Sequence, residues 1–110
     1  MTRMLVTTQD SFEDRRITET LGLARGNVVR SRFFGRDIVA GFRALVGGEI
    51  PEYTKLMAEA REEALDRMIA HAEALGADAI VGVRFQTSMI MDGAAEMMAF
   101  GTAVKLAPQG

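Results

Sequence analysis

Cysteine is absent from this 110-residue chain, which excludes disulfides, thiolate metal sites and a Cys nucleophile together. Histidine occurs once, at His71, so no second imidazole or thiol is present to complete a zinc-type set of three or four ligands. The residues one helical turn from it, Arg67 and Leu75, cannot serve as ligands. There is no Gly-x-Ser-x-Gly elbow and no phosphate-binding glycine loop. Catalytic residues and metal ligands are therefore both expected to be none. No apolar run reaches the roughly 18 residues of a membrane span, and Met1 to Thr8 holds no signal-peptide core. The expectation is a cytoplasmic protein that does not enter membranes.

Charge of one sign is also missing overall, the net being −2, but it is unevenly placed. Met1 to Gly48 carries eight Arg against five acids, and Glu49 to Gly110 carries five bases against ten acids. Halves of opposite sign suit self-association, the basic part of one subunit meeting the acidic part of the next. A solvated acidic helix beside a mildly basic loop gives the same numbers. The arginines Arg25, Arg30, Arg32, Arg36 and Arg43, with Phe33 and Phe34 among them, raise nucleic acid as a partner. The acidic total and the lack of a nucleic-acid motif argue against it. An anion site at Gly35, where a helix is expected to begin, is generic.

What the sequence does contain is periodicity. Ala79, Val81, Val83, Phe85, Thr87, Met89 and Met91 alternate as one face of a strand. A turn at Asp92-Gly93-Ala94-Ala95 makes a hairpin with the strand that follows. With Gly93 and Ala94 as loop residues, Met89 faces Met98, Thr87 faces Phe100, Phe85 faces Thr102, Val83 faces Val104 and Val81 faces Leu106. Gly82 and Gly101 lie inside these strands, where glycine often marks close backbone approach or a bulge, and they read as packing or interface positions. Upstream, Tyr53, Met57, Ala60, Ala64, Met68, Ala72 and Leu75 repeat at helical spacing, from Pro51 in the first turn to a Gly76 cap. The alanine-rich stripe suits a helix lying close to the hairpin's apolar face. Gly35 to Val46 predicts a shorter helix ended by Gly47-Gly48. Leu5 to Thr8 reads as an edge or arm. Arg15 to Ala24 reads as a strand, and Gly26-Asn27 leaves open whether Arg15 to Phe33 is a second hairpin or one bent strand.

Several side-chain groups invite chemistry. Met89, Met91 and Met98 would supply thioethers to a soft metal, with Met91 opposite Glu96 near the hairpin tip as the place to look, although the assigned face makes them core fillers. Glu59, Glu62, Glu63 and Asp66 crowd one helix face at spacings of three and four, where a divalent cation or a neighbouring chain's arginine would relieve their repulsion. Arg67, four residues after Glu63, relieves part of it within the chain. The pattern as a whole is one domain over residues 1–110, of α+β class and two layers, with a long and a short helix on a small antiparallel sheet whose edges lie open.

Particular segments resemble the YbjQ-like family, uncharacterised proteins catalogued under a heavy-metal-binding label. They are Leu5-Val6-Thr7-Thr8, Leu21 to Asn27, Gly35 to Ile38 through Gly47-Gly48-Glu49, Tyr53, Glu59 to Ala64, Leu75 to Phe85, and Gly101 to Val104. The resemblance spans nearly the whole chain. It implies a βαββ subunit like that of dodecin, in a ring-forming homo-oligomer, a pentamer being favoured, from a bacterial source. It implies no established activity. Its metal label finds no soft-ligand motif here, so the cofactor is unknown and a metal rests on the label. The expectation for function is a non-catalytic binding or structural module, with a metal or small ligand held at subunit junctions. The alternative is an enzyme with a composite intersubunit active site.

Overall fold

The computed structural model describes residues 4–31, 51–91 and 94–108, without the side chains of 51–54 and 91. Strand β1 is Leu5–Val6 and β2 is Ile17–Ser31. Helix α1, Pro51–Ala74, follows, then β3, Ala79–Met91, and β4, Ala94–Leu106. The sheet order is β1-β3-β4-β2. Both β2 and β3 pair antiparallel with β4, whereas β1 runs parallel to β3, so the sheet is mixed rather than antiparallel throughout. The protein is α+β, with one helix and a four-stranded sheet among the described residues. The short helix expected over Gly35 to Val46 lies outside them.

The helix begins at Pro51, where a missing N–H costs nothing, and its stripe behaves as the spacing predicts: Ala60, Ala64, Met68 and Ala72 are fully buried. It ends in a Schellman motif. Ala77 N–H donates to Ala72 O and Gly76 N–H to Glu73 O, both at 3.0 Å, with Gly76 at φ +82°. The surface it covers is not the one expected. Helix α1 lies across β2 and β4 and barely touches β3.

Gly26 explains that placement. A Cβ there would fall within 2.5 Å of the Met68 nitrogen, and closer still to Ala64 O. Glycine and the alanine stripe together let helix and strand backbones meet, around a core of Ala24, Val28, Ile80, Val83, Met97, Ala99 and Ala103. The Gly26-Asn27 pair therefore marks a crossing point inside one 15-residue strand, and the hairpin alternative for Arg15 to Phe33 is not taken.

Register and facing in the β3–β4 hairpin also differ from expectation. Val81 pairs with Thr102, Phe85 with Ala99, Gln86 with Met98, Thr87 with Met97, Ser88 with Glu96, Met89 with Ala95 and Met91 with Ala94. A register shift lies between Val81 and Arg84, where Gly82 adopts φ +63°. The extra residue reverses the alternation. Ala79 and Val81 join Val104 and Leu106 in a second cluster under Phe12 and Ile17, on the face away from α1, while Val83 joins the helix-side core. The alternating residues 79 to 91 thus serve two faces. Gly101 admits the neighbouring strand closely, since a Cβ there would meet Ile80 Cγ2 at 2.8 Å and Val81 O at 2.9 Å.

Candidate functional site

The two outer edges of the sheet are treated differently. On β2, Arg25 N–H donates to His71 Nδ1 at 3.1 Å, and Asn27 O accepts from Arg67 at 2.6 Å. Residues of an antiparallel strand turn their backbone groups alternately to one neighbour and the other, so these groups face outward from β4. Helix side chains occupy them. Arg67 also donates to Glu63 Oε1 at 3.0 Å, and the other oxygen of Glu63 accepts from Arg30 on β2. His71, which lacks companion ligands for a metal, is among the described residues that cover this edge, with Arg67 on Asn27 O and Arg30 on Val29 O. The signal was its position in the buried stripe's border, three residues after Met68.

Among the described residues, the outer edge of β3 is covered only at its start. Leu5 and Val6 pair with Ala79 and Ile80, Thr7 exchanges backbone bonds with Ile80 and Val83, and Gly82 N–H donates to Gln9 O. Arg84 reaches Thr8 O with its guanidinium at 2.8 Å. Beyond it, to Met91, no described strand pairs with this edge. Both faces are bare as well: Phe85 is 43% exposed, Met89 65% and Ile90 52%. Phe85 and Met89 lie on the helix side, sharing a face with Ala99 and Ala95, but α1 stops short of them. Alternation puts Ile90 on the other face.

The methionines are not gathered. Met89 stands opposite Ala95 and is exposed, whereas Met97 is buried in the core, where its sulfur accepts from the Thr87 hydroxyl at 3.2 Å. Met98 pairs with Gln86 and faces the opposite side from Met97, so it is not across from Met89. Glu96 pairs with Ser88, not Met91, and accepts from the Asn27 amide at 3.0 Å. No three His, Asp or Glu residues converge as a metal site among the described residues, and the Nδ1 of His71 is already an acceptor. These donors do not fit a heavy-metal centre within one subunit.

Of the acidic helix residues, Glu63 is ion-paired with Arg30 and Arg67, while Glu59, Glu62 and Asp66 line a shallow concavity with Lys55. Arg32, Arg36, Arg43, Phe33, Phe34 and Gly35 lie outside the described residues. At the other end of the sheet a cleft of about 370 Å³ opens between Met4, Arg15, Glu73, Asp78 and Leu106. Two of its polar groups hold the chain: Arg15 donates to Ala107 O at 3.0 and 3.3 Å, and Asp78 accepts from Leu106 N–H at 2.9 Å. No charged or polar residue is buried among those described, and no helix among them is long and apolar enough to cross a membrane.

Among the described residues, one helix laid across a mixed four-stranded sheet, with the β2 edge covered by side chains and the far part of the β3 edge unpaired, defines a small α+β protein with no assembled reaction centre. Residues 4–107 match the model of the YbjQ family, whose description reads "Putative heavy-metal-binding", and the chain belongs to that family. A UPF0145 protein of Methanococcus vannielii is 59% identical over 103 residues, covering 94% of this chain and 98% of its own. One of Photobacterium profundum is also 59% identical, covering 94% and 100%. The relatives include an archaeon, so the family is not confined to bacteria. A crystal structure from the DUF74 family, a Pediococcus pentosaceus protein of unknown function, superposes with a TM-score of 0.55 at 16% identity, over 94% of this chain and 98% of that one. That likeness extends to the fold.

Proposed function

We propose that the chain is a non-catalytic module that works as a homo-oligomer, closed into a ring, with the outer half of β3 as its principal contact surface. The observation that carries this is the edge from Phe85 to Met91, which no described strand pairs and which exposes Phe85 and Met89 on one face and Ile90 on the other. A long, bare, apolar strand edge is a template for pairing, and soluble proteins cover or blunt it. A second copy of the chain is the partner, and the opposite charges of the two sequence halves favour that contact. A pentamer is the favoured ring. A single domain over residues 1–110, a cytoplasmic location, and no nucleic acid or membrane as partner complete the proposal. A metal or small ligand would be held where subunits meet, since one subunit lacks a donor set among its described residues.

The test is substitution on the bare strand. Lysines at Met89 and Ile90 point charge into any strand pairing and should convert the assembly to 12.0-kDa subunits by light scattering, with the helical circular dichroism retained. An assembly of unchanged mass would remove this strand from the interface. The enzyme alternative, a composite intersubunit site, would instead require a cleft where charged residues of two copies converge. The Glu59, Glu62 and Asp66 concavity is the surface on this subunit from which it would be built.

A further inference from the structure

His71 sits on α1 with its ring at the outer edge of β2, and its hydrogen bond has a chemical condition. Nδ1 accepts the Arg25 N–H, which leaves the proton of the neutral ring on Nε2. Protonation would place a second N–H at Nδ1, donor against donor, and the bond could not persist. We propose that His71 is a protonation-sensitive latch that closes the outer edge of β2 when neutral and releases it when charged.

The surroundings make release local. On α1 the nearest charged neighbour one turn back is Arg67, held by Glu63 and bonded to Asn27 O. On β2 the facing charged residues are Arg25 itself and, beyond Asn27, Arg30, which is paired with Glu63. No carboxylate among the described residues bonds to the imidazole, so nothing in these contacts would hold an imidazolium in place. The strand's inner bonds are independent of the latch. Gly26 and Val28 turn their backbone groups toward β4 by alternation with Arg25 and Asn27, and the core beneath them is apolar. Opening would free the Arg25 amide and offer that part of the edge to an added strand, with Arg67 on Asn27 O and Arg30 on Val29 O still in place. The latch itself does not depend on the assembly proposed above.

Amide hydrogen exchange on the full chain tests it, followed from about pH 8 to about pH 5. After correction for intrinsic rates, Arg25 should lose at least tenfold in protection on acidification, while Gly26 and Val28 keep theirs. The variant His71→Asn, which supplies an acceptor that does not titrate, should show the same Arg25 protection at both ends. The ring's own nitrogen resonances should report the Nε2–H tautomer at high pH. Equal Arg25 protection across the range in the wild-type protein would overturn the latch. Parallel loss at Gly26 and Val28 would also overturn it, by assigning the change to opening of the whole strand.

Discussion

Gly26 is the point where the backbones of α1 and β2 come closest, and it has no room for a methyl group. The atoms in the way belong to the helix backbone at Ala64 and Met68, so the neighbours cannot turn aside by changing rotamer. Gly26→Ala should therefore destabilise by about 2 kcal/mol, as overpacking does, and lower Tm by about 10 °C in a circular-dichroism melt. An unchanged Tm would mean that α1 does not seat on this residue. Gly82 poses a different constraint, because a Cβ there would meet only Asp10 Oδ1, at an ordinary contact distance of 3.7 Å, so its φ of +63° is what matters. Gly82→Ala should cost about 1 kcal/mol and Gly82→Asn less, since asparagine tolerates the left-handed region better. Equal losses would point to crowding rather than backbone strain. Glu63 joins two arginines, but all three side chains are partly exposed, so Glu63→Gln should cost less than about 1 kcal/mol in urea denaturation. A loss of 2 kcal/mol or more would show that the network is shielded from solvent. At this scale the sequence was legible where a residue has one use. Gly76 read as a helix cap and is one. Gly26 beside Asn27 has the composition of a turn, and nothing local says that a helix will rest on it instead.

Among the elements, α1 was the most readable, because six stripe positions within its 24 residues leave little freedom for another period; the seventh, Leu75, falls just past the helix end and is exposed. The strands were read as strands, but their pairings were not. A two-residue turn fixed one register for the hairpin, whereas the observed pairs run from Met91 with Ala94 back through a shift at Gly82. Each shift reverses the faces of all residues beyond it, so the bulge at Gly82 moved Ala79 and Val81 away from the helix, while the register at the Met91–Ala94 end put Met97 rather than Met98 on the face of Met89. The same cause defeats the site read around Met91 and Glu96, which depended on the register. β1 was visible only as an apolar pair, and its parallel pairing with β3 is set by the chain's return path rather than by its own residues.

At the scale of the molecule, the dimensions of 58 × 25 × 21 Å reflect long strands, since 13 residues span about 43 Å. The sheet outruns its cover. Near Ala79 and Leu106 both faces carry apolar clusters, while the far half of β3 has neither helix nor strand upon it among the described residues. The acidic helix face provides a separate test of how subunits meet. Glu63 already has partners in its own chain, so the residues available to face a neighbour's arginines are Glu59, Glu62 and Asp66, of which the first two lie furthest from Arg67 in sequence. Reversing those two to Lys should weaken the assembly at low salt, seen as a higher dissociation constant in sedimentation, and the difference should shrink as salt is raised. No change at low salt would mean that this face is only solvated.

The most direct measurement of the central claim is native mass spectrometry of the protein purified without a metal-chelating resin. The account predicts one closed species at a small multiple of the 12.0-kDa subunit, with the pentamer favoured, and its disappearance in the Met89→Lys, Ile90→Lys variant. Any extra mass would give the stoichiometry of a ligand or metal carried at the subunit junctions. A bare 12.0-kDa monomer at every concentration would contradict the account.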